Sequence, residues 1–414
     1  MTTTVILYVI LGILAFDFFL ERILDVLNLR NWTPELPKVL KGIYDQEKYK
    51  KSQDYQREKY KLSFWSSSLS FTASFLMIIL GGFAWVDELA RQFTNNPILI
   101  ALLFFGVIML ASSTVGMPFT YYSTFAIEEK YGFNRTTIKT FILDRIKGGI
   151  LGIIIGGGLL ALLIWIYQQT TDNFWWMAWS VLAVFMIFMT MFYSSVIVPL
   201  FNKQTPLEDG ELKTAIKEFA DKSDFKLDNV FVMDGSKRSS KGNAYFSGLG
   251  AKKRIVLFDT LINELSTEEI VAVLAHEIGH YKKKHTLSGI ALSLLQTGLM
   301  FYIFSIFIGN PALSEALGAK VHGFHLGLIA FGILYSPIST ILGLIMNVWS
   351  RHNEYQADEF ANEYYNGKAL GEGLIKLSIS SLSNLTPHKA YVFFYYSHPT
   401  LLQRLKAINY NKES

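Results

Sequence analysis

His276-Glu277-Ile278-Gly279-His280 lies inside residues 266–285, the stretch whose reading decides how the rest of the chain must be arranged. Two imidazoles four residues apart on a helix stand nearly above one another, close enough to grip one metal ion. The glutamate after the first histidine can then act as general base on a metal-activated water. The flanks fit a helix. Ser266-Thr267-Glu268-Glu269 carries the hydroxyl and acidic residues of an N-terminus, and Ile270, Val271, Val273 and Leu274 supply an apolar wall. An ordinary amphipathic helix can also carry two histidines by chance, so the pair needs a third ligand.

The composition says where such a site sits. Of 414 residues, 51% are hydrophobic and only 17% charged, which describes a chain largely dissolved in lipid rather than the two or three soluble domains its length allows. A net charge of +4 is too small to point to nucleic acid. Zero cysteines exclude disulfides, thiol nucleophiles and thiolate metal sites, so a metal must be held by histidine and carboxylate. Met1-Thr-Thr-Thr4 lacks the positive charge of a signal peptide, and the apolar run after it reads as a retained anchor.

Seven apolar segments are long enough, or nearly so, to cross a bilayer: residues 5–20, 64–86, 97–117, 148–167, 174–201, 286–309 and 326–349. The first is short and carries Asp17. Lysine and arginine alternate sharply between them. Residues 21–63 have ten, 87–96 one, 118–147 five, 168–173 none, 202–285 fourteen, 310–325 one and 350–414 seven. Positive loops stay cytosolic, so the N-terminus is expected outside and the C-terminus in the cytosol.

Four pieces follow: 1–201 with five membrane helices, 202–285 with the HEIGH helix, 286–349 with two more membrane helices, and 350–414. In the second, 210–222 reads as a helix, and 229–233, 243–246 and 254–258 as strands separated by turns. The fourth begins as a helix through Tyr365, breaks at Asn366-Gly367 and resumes over 369–383. Pro337 is expected to kink the seventh span.

A catalytic zinc takes three protein ligands and leaves one position open. After His280 the chain crosses out and back and re-emerges at Ser350-Arg-His-Asn-Glu-Tyr-Gln-Ala-Asp358, the side of the membrane it left. Glu354 and Asp358 share a helical face there. Glu354 is the favoured ligand, and Asp358 would orient a histidine or pair with a cation. His352 is a rival half a turn away, and two acids on a solvated helix are the bland alternative. His285 is expected at the interface, His322 and His325 on the outer side, and His388 in a loop. Trp175, Trp176 and Trp179 fit an interfacial belt, and Asn347 with the serines of the seventh span a wet cavity.

At this point the residues resemble a known family, the type I CAAX prenyl proteases. The resemblance runs through Ile127-Glu-Glu-Lys-Tyr-Gly-Phe-Asn134, Pro199-Leu-Phe-Asn-Lys203, Gly242-Asn-Ala-Tyr-Phe246, Ala275-His-Glu-Ile-Gly-His280, Asn353-Glu-Tyr-Gln-Ala-Asp358 and Ser397-His-Pro-Thr-Leu-Leu-Gln-Arg404. It implies a mainly α polytopic membrane protein whose seven helices enclose a chamber, with a small α+β zincin-like metalloprotease domain on the cytosolic side. It implies one Zn2+ held by His276, His280 and Glu354, with Glu277 activating water and His398 stabilising the oxyanion. Asn243, with Ala244 and Tyr245, would receive the substrate backbone on an edge strand, and Arg404 would pair with Asp358 near the metal. Glu128 and Glu129 also match, as a cap or a loop-locking ion pair.

The expected activity is removal of C-terminal tripeptides from prenylated proteins, by a monomer whose partners are a protein or lipidated peptide and the bilayer. A quality-control protease of the HtpX type is the alternative. A transporter or a binding scaffold with a structural metal is the outside one; the spans carry too few ionisable groups for transport, and a scaffold would normally have lost Glu277 or a ligand. The C-terminus, 411–414, lacks a dilysine signal, which leaves a bacterial plasma membrane beside the endoplasmic reticulum.

Overall fold

A computed structural model describes residues 2–33, 35–36, 41–42, 44–170, 173–225, 230–249 and 253–410. Residue 229, where a strand was expected to begin, and the C-terminal 411–414 lie outside them. Among the described residues seven helices are long and apolar enough to span a membrane: Thr3–Arg30, Gln46–Ile79, Pro97–Glu128, Ile138–Thr170, Phe174–Leu200, His285–Phe307 and Phe324–Ser380.

The count agrees with the hydropathy pattern, but several boundaries move. The second span was expected to run to residue 86. It ends at Ile79 because Gly81 takes a left-handed φ of 69°, and Gly82–Phe93 becomes a separate amphipathic helix. Asp17 does not weaken the first span, since Ser336 of the seventh span donates a hydrogen bond to it. Asp17, Glu21 and a row of serines from the second span (Ser63, Ser66, Ser67, Ser70) line a polar cavity of about 530 Å³. The seventh helix runs unbroken through Pro337 to Ala361.

Other side chains also depart from expectation. Trp179 is wedged between two spans and donates to the Leu294 carbonyl (2.8 Å) beside Gly298, and Trp175 packs edge-on against Tyr302. Only Trp176 of the three keeps the exposed position of a belt residue. Asn347, half-buried, donates to the Phe394 carbonyl (2.7 Å). His325 is buried against Asp87 (2.7 Å), which also accepts from Arg91 (2.8 Å), so the start of the seventh span is pinned to the short helix Gly82–Phe93. His388 lies in a loop, as expected, and there caps the helix Lys389–Tyr395.

The polar part is built on a four-stranded sheet of order β1-β2-β4-β3, with β1 Gln204–Pro206, β2 Val230–Met233, β3 Ala244–Ser247 and β4 Arg254–Phe258. β2 and β4 run parallel, while β1 and β3 are antiparallel edges. β1 escaped the sequence reading because three residues carry no alternation. Ile255, Val256 and Leu257 of central β4 are fully buried, and the core continues through Ile270, Val271 and Leu274 of the HEIGH helix.

Residues of the stretches Ile127–Asn134 and Pro199–Lys203, with partners elsewhere, join this part to the membrane helices. Arg238 grips Asp144 through two hydrogen bonds (2.7 and 2.8 Å) and donates to Asn202. Glu128 pairs with Lys241 (3.0 Å) and accepts from Tyr55, while Glu129 accepts from Asn134. Glu128 is therefore a loop-locking ion pair.

The HEIGH helix spans Thr267–Lys282 and starts with a full capping box: Ser266 Oγ accepts from Glu269 N, and Glu269 Oε2 accepts from Ser266 N. Glu269 also holds Lys376 (2.6 Å). The helix crosses the seventh span at Gly279, where an added Cβ would lie 3.0 Å from Phe360 Cβ and 3.2 Å from Ala357 Cα and O. Glycine is thus required by the closeness of the crossing. Gly279→Val should cost about 1–3 kcal/mol through overpacking. A melting temperature equal to wild type, with metal content intact, would show that the helices do not meet as closely as described.

Candidate metal centre

The crossing brings His276 and His280 to Glu354. His276 Nε2 lies 3.2 Å from His280 Nε2 and 3.4 Å from Glu354 Oε2, and His280 Nε2 lies 3.2 Å from Glu354 Oε1. These three are the group among the described residues that could hold a metal ion. Four ligands arranged tetrahedrally at about 2.0–2.1 Å from an ion are about 3.3–3.4 Å from one another; the two imidazole nitrogens have that spacing, and each has one oxygen of the Glu354 carboxylate at a similar distance, Oε2 for His276 and Oε1 for His280. Glu354 Oε2 is buried with no aligned hydrogen bond, an arrangement that a cation relieves. His352, the rival ligand, is exposed and bonded to Gln356 (3.2 Å).

The partners of these ligands fix their direction. Asp358, fully buried, lies 2.8 Å from His276 Nδ1, so a proton on Nδ1 leaves Nε2 free to face the ion. Arg404 donates to the same carboxylate through Nε (2.8 Å) and Nη2 (2.5 Å). Arg404 reaches this point because Thr400 and Gln403 form a second capping box that starts the helix Leu401–Ala407. His398 sits just before that cap. It is largely exposed, with Nδ1 3.0 Å from Glu354 Oε2, and it borders a cavity of about 500 Å³ shared with Tyr396, Ser397 and Arg404.

Glu277 is half-buried, and no hydrogen bond or ion pair occupies its carboxylate among the described residues. Asn243 is exposed immediately before β3; its side chain accepts from Ala244 N (2.9 Å) and its carbonyl from Phe258 N (3.0 Å). β3 pairs only with β4, so its other edge is open among the described residues. Tyr245 is committed elsewhere, since its hydroxyl bonds Ser194 (3.1 Å) and Gln204 (3.3 Å). No direct contact joins Asn243, Ala244 or Tyr245 to the His276 cluster among the described residues.

His285 departs from expectation. It is buried rather than interfacial, with Nδ1 2.9 Å from His280 Nδ1 and Nε2 2.8 Å from Gln356 Oε1. Gln356 went unremarked in the sequence. Its signal was its spacing, four residues from His352 and two from Glu354 on the same helix.

The electrostatics favour a cation. Burial and the Arg404 guanidinium push the His276 imidazole toward neutrality, yet its bonds to Asp358 and Glu354 hold its pKa up at about 9. A metal ion must therefore displace a proton. Apparent metal affinity should fall as the medium becomes more acidic, by about tenfold per pH unit for each proton displaced, between roughly pH 8 and pH 6. Chelator competition across that range checks this; a flat profile would mean that the ligands are not protonated in the free site.

Comparison with known proteins agrees with this geometry. Residues 25–203 match the family described as CAAX prenyl protease N-terminal, five membrane helices, and 206–412 match peptidase family M48. The chain is 37% identical over 405 residues to CAAX prenyl protease 1 of Saccharomyces cerevisiae, covering 92% of this chain and 89% of that protein. It is 35% identical over 430 residues to the Homo sapiens CAAX prenyl protease 1 homolog, covering 92% and 90%. The crystal structure of S. mikatae Ste24p superimposes with a TM-score of 0.93 at 37% identity, over 98% of this chain and 99% of that one. The chain belongs to the type I CAAX prenyl protease family, multi-pass membrane metallopeptidases of family M48.

Proposed function

We propose that this protein is a zinc endopeptidase that removes the C-terminal tripeptide from prenylated CAAX-type proteins at the cytosolic face of its membrane. The observation that carries the reading is the triangle of His276, His280 and Glu354 beside an uncommitted Glu277. The names and extent of the relatives supply the substrate class.

Zinc, the metal that best suits two imidazoles and a carboxylate in a tetrahedral frame, supplies Lewis-acid polarisation and a more acidic water when bound. Glu277 takes the proton of the attacking water and passes it to the departing amide nitrogen. His398, exposed at the rim of the site, donates to the oxygen that gains charge. Asn243, Ala244 and the open edge of β3 take the extended peptide as an added strand. Asp358 and Arg404 hold His276 in its ligating orientation.

The positive loops argue for an outside N-terminus and a cytosolic C-terminus, which puts 202–285 and 350–414 together in the cytosol around the metal. The protein would act as a monomer on lipidated protein in the bilayer.

Wild type and Glu277→Gln should both bind about one zinc. On a farnesylated C-terminal peptide the variant should lose about a hundred- to ten-thousand-fold in kcat. Mass spectrometry should find one cut beside the lipidated cysteine, with the unlipidated twin cut poorly. Equal cleavage by Glu277→Gln would overturn the catalytic assignment. Scattered cuts in unmodified protein would instead favour the HtpX-type quality-control reading.

A further inference from the structure

We propose that His285 and Gln356 are positioning residues that set the tautomer of His280, so that its Nε2 lone pair faces the metal. This goes beyond the ligand set and rests on His280 being a ligand.

The argument is one of hydrogen-bond direction. His280 Nδ1 and His285 Nδ1 are 2.9 Å apart, so one of them carries a proton and the other a lone pair. His285 Nε2 faces Gln356 Oε1 at 2.8 Å, and an amide oxygen only accepts. His285 therefore carries its proton on Nε2 and, when neutral, presents a lone pair at Nδ1. His280 Nδ1–H donates to that lone pair, which strips His280 Nε2 of hydrogen. Gln356 is held in this orientation because its amide nitrogen donates to His352 Nε2 at 3.2 Å. Only with the Gln356 amide turned over, so that its nitrogen faces His285, could every bond in the chain reverse. That reversal would put a proton on His280 Nε2, 3.2 Å from both His276 Nε2 and Glu354 Oε1, where no ion could then be bound by it. The sense of this relay and the ability of His280 to ligate are one property.

The backbone invests in this contact. The HEIGH helix ends at Lys282, and Lys284 adopts a left-handed φ of 61°, a conformation a side chain enters at a cost. That turn reverses the chain into the sixth span, and His285, its first residue, is folded back under His280. His276 is oriented by a carboxylate, Asp358, whereas His280 is oriented by a neutral chain, so the two ligands add only one negative partner to a buried site.

Zinc release to a competing chelator tests the proposal. His285→Phe keeps the ring volume and removes the acceptor, and should release zinc about ten- to a hundredfold more readily. His285→Asn places an amide oxygen where Nδ1 was, and should stay within about threefold of wild type. Gln356→Glu, which keeps the acceptor, should hold zinc better than Gln356→Leu. Melting temperatures identify variants that fail to fold. A packing role predicts the opposite order at position 285, with Phe tolerated and Asn harmful, and that order, or wild-type retention by His285→Phe, overturns the proposal. Wild type without stoichiometric zinc would overturn the ligand assignment as well, and so separates the two failures.

Discussion

A single close crossing, between the HEIGH helix and the C-terminal part of the seventh helix, is the constraint on which the rest of the structure depends. Two ligands lie on one helix and the third on the other, and between them the chain leaves the membrane face and returns. Gly279 permits the approach because Ala357 and Phe360 occupy the space a side chain would need. The motif's glycine is therefore as much a part of the metal centre as its histidines, though it touches no metal. The capping box at Ser266 and Glu269 and the Glu269–Lys376 pair fix one helix, and Arg404 with Asp358 fixes the other. Each device is modest alone, but together they hold three ligands close enough to share one ion.

The same groups explain why a cation belongs there. Glu354 and Asp358 are buried carboxylates, and among the described residues Arg404 is the guanidinium that answers both, within reach of the Glu277 charge as well. Buried negative charge without enough positive charge is costly unless an ion or a proton arrives. The raised pKa of His276 is the protonated version of that demand, and a divalent metal satisfies it more fully. Chemistry and stability are thus linked at one point, the crossing of the HEIGH helix and the seventh helix.

Much of this was legible before any coordinates. Span number followed from hydropathy and alternating charge, because lipid leaves a chain few options. Glu354 was favoured over His352 from parity of crossings and helical spacing, and it is Glu354 that lies beside His276 and His280; for Glu128 the shared motif left a cap and an ion pair both open. What stayed hidden depended on contacts that periodicity cannot encode. Gly81-Gly82 ended a span inside a run that reads as continuous. His285 looked interfacial because its burial depends on a left-handed turn at Lys284, a residue with no preference for that conformation. Trp175 and Trp179 looked like belt residues, but a small partner such as Gly298 draws an indole between helices. β1 was too short to show a pattern.

The most direct test of the central claim is anomalous diffraction at the zinc edge from crystals of the active, zinc-loaded protein. One peak is expected, within bonding distance of His276 Nε2, His280 Nε2 and Glu354, at about 2.0–2.2 Å from each. A peak at another group of residues, or a peak that Glu354 does not touch, would contradict the account.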